Sequence, residues 1–77
     1  MMIETASDWA IDNNYHDIET DTGDEFVAWS ESEYTGVKAW RDEVRDCFVA
    51  IVRYENGEQL GDARGFGQTM LEALQDL

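Results

Sequence analysis

The chain has 77 residues, 43% hydrophobic and 12% aromatic, with eighteen Asp or Glu against five Lys or Arg and a formal net charge of −13. That length admits one domain with a single core, which three Trp, three Tyr and three Phe can fill. The charge argues against direct binding of nucleic acid or anionic membrane, and the lone Cys47 excludes an intrachain disulfide.

No N-terminal stretch joins a basic region to an apolar one, and no apolar run approaches membrane-spanning length. A cytoplasmic protein in a reducing compartment is therefore expected, with Cys47 as core packing.

Taken in chain order, residues 5–13 read as a short helix, capped by Thr5 or Ser7 and ended near Asn13-Asn14. Glu4, Asp8 and Asp12 then recur every four residues, with neighbouring Cβ atoms about 5 to 6 Å apart, a like-charge row that weakens its own helix. Asp17 to Glu25 is the densest acidic run. It superficially resembles a calcium loop, but counting from Asp17 the sixth position is Thr22 rather than Gly and the twelfth is Ala28 rather than a carboxylate. Gly23 serves a turn into a strand that starts at Phe26 and continues through Glu33, with Glu31 and Glu33 on one face about 6.6 Å apart. Between Gly36 and Arg45, Val37, Trp40 and Val44 fit a short helix, and a strand from Val37 to Arg41 fits equally.

The scaffold lies in residues 46–77. From Cys47 to Tyr54 both alternating sets are largely apolar, which suits a strand covered on both faces. Asn56-Gly57 tolerates the positive φ values of a type I′ turn, so a hairpin follows. Thr69 and Glu72 form a capping box, and Met70, Ala73, Leu74 and Leu77 give the last helix one apolar stripe. Gly65 and Gly67 lack the third glycine of a dinucleotide fingerprint, since Met70 stands there, and read as a strand end approaching the cap. The expected fold is α+β: a small antiparallel sheet of three or more strands, with an N-terminal and a C-terminal helix packed on one face.

Charge is distributed unevenly. Residues 1–37 hold ten of the acids and no Lys or Arg, whereas residues 38–77 hold eight acids and all five bases. A field of that kind repels anions and speeds encounter with a basic partner. Lys38, Arg41 and Arg45 are expected to pair with neighbouring acids, each exposed pair being worth little. His16 has no second His or Cys at ligand spacing, and no nucleophile–base pairing is legible, so neither a metal, a cofactor nor catalysis is expected.

In its short chain, acid excess and carboxylate rows (Glu4/Asp8/Asp12, Asp17/Glu19/Asp21, Glu31/Glu33), the sequence resembles the small acidic anti-CRISPR proteins of phages and mobile elements that imitate DNA. The resemblance implies a monomer or weak dimer that occludes a basic nucleic-acid surface of a CRISPR–Cas effector complex, type I by expectation, and blocks target DNA binding. Asp8, Asp12, Asp17, Glu19, Asp21, Asp24, Glu31 and Glu33 are then the contact residues, with Trp29 and Tyr34 as anchors. Separately, Gly65 to Leu74 looks like the strand–turn–helix passage of HicB-type antitoxins, which implies a shared ββα packing over residues 46–77 and an interaction-module function. The order of elements also looks like that of double-stranded RNA binding domains, but Met70 to Leu77 has no Lys or Arg where those place their basic residues. Adaptation of a cytosolic domain to molar salt is a further reading of the acid excess.

Overall fold

A computed structural model describes residues 2–32 and 34–77. Helix α1 (Ala6–Asp12) is followed by five strands, β1 (Asp17–Asp21), β2 (Glu25–Trp29), β3 (Thr35–Asp42), β4 (Cys47–Tyr54) and β5 (Gly65–Gly67), and then by helix α2 (Met70–Gln75). The strands form one antiparallel meander in chain order. The α+β expectation holds, with five strands and both helices on one face.

Strand alternation explains which face. In register, Phe26 and Ala28 lie opposite Ala39 and Val37, which lie opposite Ala50 and Val52, so these side chains share one side of the pleat. They form the core with Ala10 of α1 and with Ala73 and Leu74 of α2, while Trp9, Tyr15, Ile18, Phe48 and Met70 close its margins. Trp9 and Tyr15 stack with ring centroids 6.1 Å apart, which ties the end of α1 to the entry of β1. Burial also pushes the Tyr15 hydroxyl above its ordinary pKa.

Helix ends follow local chemistry. Thr5 caps α1 by accepting from the Asp8 amide at 3.1 Å, and Thr69 caps α2 by accepting from Glu72 at the same distance. The return bond of each box goes one residue further out, to the amides of Glu4 and Gln68. Asn13 closes α1, and Asn14 takes a left-handed φ of 69° to turn the chain into β1.

Two glycines set how α2 sits. A Cβ at Gly65 would lie 1.9 Å from the carbonyl oxygen of Ala73, and one at Gly67 would lie 2.6 Å from the Ala73 amide nitrogen. The helix backbone therefore rests directly on β5, and the Gly-Phe-Gly sequence is there for that approach. β4, β5 and α2 make the ββα unit read from residues 46–77.

For the segment 36–45, where helix and strand fitted equally, the strand forms and a turn follows it, because β3 pairs along its whole length with β4 and also with β2. Several other expectations need correction. β2 stops at Trp29 rather than running to Glu33, so Glu31 lies in the connection to β3, and Glu33 lies outside the described residues. The turn after β4 is not type I′, since of its residues only Gly57 has positive φ; Gly57 donates to Tyr54 and Tyr54 to Glu58, the pattern of a three-residue loop with a glycine bulge. The return strand is shorter than a hairpin would give, an isolated bridge from Arg53 to Gln59 and then β5. Cys47 is half-buried and stands outside the core cluster.

Candidate functional site

Of the acids of the first half, Asp17, Glu19 and Asp21 lie on β1, at one edge of the sheet, and Asp24 lies in the turn that follows it. β1 is an edge strand, held by Ile18 in the core and by pairing with β2. Its register shifts between Ile18 and Thr20, which face Ala28 and Val27, so Glu19 is the extra residue of a bulge. An inserted residue changes the parity of everything beyond it. Asp17 lies opposite Trp29 on the face away from the helices, as does Glu19 at the bulge, whereas Asp21 lies opposite Phe26 and turns to the helix side.

The expected row Asp17/Glu19/Asp21 is thus divided between two faces. On the helix side, Asp21 accepts from the Ser7 hydroxyl of α1 at 2.9 Å. The row Glu4/Asp8/Asp12 also fails as a three-turn stripe: Glu4 precedes the cap, Asp8 stands in the first turn where the helix dipole favours it, and only Asp12 sits at the unfavourable end. Asp24 is exposed at the tip of the β1–β2 turn, which Thr22 holds by accepting from the amides of Asp24 and Glu25. Glu31 is exposed in the β2–β3 connection.

Three of the five bases are held in ion pairs. Among the described residues the ion pairs join Lys38 to Glu25 at 3.8 Å, Arg45 to Asp42 at 2.7 Å, and Arg41 to Asp46. Asp42 organises the β3–β4 turn by accepting from the amides of Val44 and Arg45 as well as from the Arg45 guanidinium. Those donors, the Arg45 amide first, hold its carboxyl below the usual carboxylate value. Arg53 lies with its guanidinium 5.2 Å from the Trp29 ring centroid. Of the described carboxylates in residues 2–32, Glu25 alone has a basic partner.

The anchors differ from each other. Trp29 is half-buried and lies over Gly36, where a Cβ would meet its ring at 2.6 Å, so one side of the indole is already in use. Tyr34 is 60% exposed and tilts against Tyr54 with centroids 5.3 Å apart. The meander brings the start of β1 and the ends of β2 and β4 to the same end of the sheet. Three clefts open there, one of about 300 Å³ lined by Asp17, Glu19, Trp29 and Glu55, one of about 490 Å³ lined by Tyr34, Tyr54, Glu55, Asn56 and Glu58, and one of about 530 Å³ lined by Asn14, His16, Ser30, Glu31 and Ser32.

Glu55, Glu58 and Tyr54 were not among the residues expected from sequence. Their signal was present, two carboxylates flanking the Asn56-Gly57 turn, but the nearness of Glu55 to Asp17 depends on strand order. Among the described residues, no three His, Cys, Asp or Glu side chains are grouped to hold a metal ion. No described helix is long and apolar enough to cross a membrane. No family model, curated protein or solved structure matches the chain.

Proposed function

We propose that the protein is an inhibitor of anti-CRISPR type, which docks its β1 margin on a basic nucleic-acid-binding surface of a CRISPR–Cas effector complex and so blocks target DNA binding. One observation carries the reading: among the described residues, the carboxylates of residues 2–32, Glu25 excepted, have no ion-pair partner, while Lys38, Arg41 and Arg45 pair with Glu25, Asp46 and Asp42. Unneutralised charge on one margin of a chain of net −13 is a standing cost to the fold, and a basic groove that holds phosphates relieves it by Coulomb attraction and counterion release. Asp17, Glu19 and Asp24 are the central contacts, Asp12 and Glu31 flank them, and Tyr34 is the exposed aromatic anchor. Asp8 and Asp21 contribute charge while also serving the Glu4 amide and the Ser7 hydroxyl.

The test is triple reversal of Asp17, Glu19 and Asp24 to Lys. Target DNA binding by a purified type I effector complex is measured by gel shift, with and without the protein, at several salt concentrations. Wild type should inhibit, less so as salt rises, and the variant should not inhibit although its far-UV circular dichroism and melting are retained. A folded variant that inhibits as wild type does would refute the proposal.

A further inference from the structure

Rings and cations are matched within this chain. Trp29, Trp40, Phe48 and Phe66 each carry one of its own cations, Arg53, Lys38, Arg41 and Arg45 in turn, 5.2 to 5.8 Å from the ring centroid. Trp9 and Tyr15 stack on each other, and Phe26 is fully buried. Tyr34 and Tyr54 remain. Their rings meet at 5.3 Å and 59°, Tyr34 is exposed, and among the described residues no cation lies over either ring.

Beside these two rings the charge is negative. The cleft of about 490 Å³ that they share is also lined by Glu55, Asn56 and Glu58, and among the described residues neither carboxylate has an ion-pair partner. Its frame is backbone: the Glu55 amide donates to the Tyr34 carbonyl at 2.9 Å and the Tyr54 amide to the Glu58 carbonyl at 2.8 Å. Asn56 steadies the turn by accepting from the Glu58 amide at 2.9 Å, so the backbone that carries rings and carboxylates is set before a ligand arrives. The face of a tyrosine ring and a carboxylate both attract a cation, and at the other rings this chain supplies its own. We infer that the Tyr34–Tyr54 cleft binds the guanidinium of an arginine side chain presented by the partner, stacked on Tyr34 and donating to Glu55 and Glu58. Arginine fits better than lysine, because its planar, weakly hydrated head stacks on a ring while its fixed fork of donors serves two acceptors. Within the chain, arginine makes three of the four ring contacts. Glu55 also lines the cleft of Asp17, Glu19 and Trp29, which makes the site continuous with the acidic margin. The inference rests on the proposed function for its partner and deepens it by joining Tyr54, Glu55 and Glu58 to the anchor at Tyr34.

The probe is the peptide acetyl-Gly-Ser-Arg-Ser-Gly-amide, titrated into ¹⁵N-labelled protein. Its controls are the same peptide with Lys or with neutral citrulline in place of Arg, and choline chloride as a free small cation. The Arg peptide should shift the amides of Tyr34, Tyr54, Glu55 and Glu58 more than those of β1, the Lys peptide should bind more weakly, and the citrulline peptide should leave the spectrum unchanged. Affinity for the Arg peptide should fall about threefold to fivefold in Tyr34→Ala and in Glu58→Gln. Both positions are exposed, so the fold is kept. An equal response to the Lys peptide, or an Arg response spread over β1 and unchanged in both variants, would mean attraction by net charge alone and would overturn the inference while leaving the acidic docking surface standing. Tighter binding of choline at the same amides would assign the cleft to a free quaternary ammonium and overturn it as well, as would an Arg peptide that shifts no amide. The proposed function fails separately, in the effector gel shift, if wild type does not inhibit.

Discussion

Replacing Gly65 by alanine places a Cβ 1.9 Å from the carbonyl oxygen of Ala73 and about 3 Å from the Leu77 amide nitrogen. Ordinary contact needs roughly 3.2 Å or more, so α2 must lift from β5 by more than an ångström. The atoms in the way are backbone, and no rotamer change relieves them. Lifting the helix loosens Ala73 and Leu74, both 0% exposed, and Met70 beside them.

Overpacking of this kind costs about 1 to 3 kcal/mol, and the rigid obstacle puts this site at about 3. A domain of this size has about 4 to 12 kcal/mol of stability in all, so Tm should fall by about 12 °C or more. Gly23→Ala is the control: nothing lies within 4 Å of its Cβ and its φ is not in the left-handed region, so it should be neutral or stabilising by up to about 1 kcal/mol. Urea and thermal unfolding followed by far-UV circular dichroism measure both variants. A Gly65→Ala protein that melts within about 3 °C of wild type would refute the direct seating of α2 on β5.

Further outcomes follow from the caps, the turns and the charge. Thr69→Ala removes the acceptor of the Glu72 amide and should cost about 1 kcal/mol, with a matching drop in urea midpoint. The Asp42 carboxyl is held below its ordinary value, so the stability it contributes is present above the unfolded-state value near 3.8 and is lost as pH falls through the lower folded value. Asp42→Asn should therefore melt below wild type at pH 5 to 8 and approach it as pH falls through the lowered folded value, as melting curves over the acid range would read. Raising NaCl from about 0.1 to 1 M shortens the screening length from about 10 to about 3 Å and should raise Tm, because repulsion opposes compactness in a chain of net −13. Cooperative folding in dilute buffer without salt excludes adaptation to molar salt as the origin of the acid excess.

Part of this architecture is carried by contacts only a few residues apart, and that part can be read along the chain. Thr5 and Thr69 cap because a hydroxyl reaches an amide three positions on. Asn14 and Gly57 turn the chain because they tolerate positive φ, and the apolar run from Cys47 to Tyr54 makes a strand in almost any setting. Other parts are set between strands distant in sequence. Val37, Trp40 and Val44 have helical spacing, and the pairing of β3 with two neighbours overrides it. Asp17 to Asp21, part of a run that superficially resembles a calcium loop, becomes an edge strand because β2 offers it a partner.

The functional surface divides in the same way. Composition and the spread of charge are properties of the chain, and they establish an acidic first half facing a second half that holds every base. Which carboxylates share a face is a matter of register: the bulge at Glu19 turns Asp21 away from Asp17, and strand order alone brings Glu55 beside them. Period-two alternation makes a side chain's direction depend on a single inserted residue, and a single inserted residue is visible only once the strands have paired.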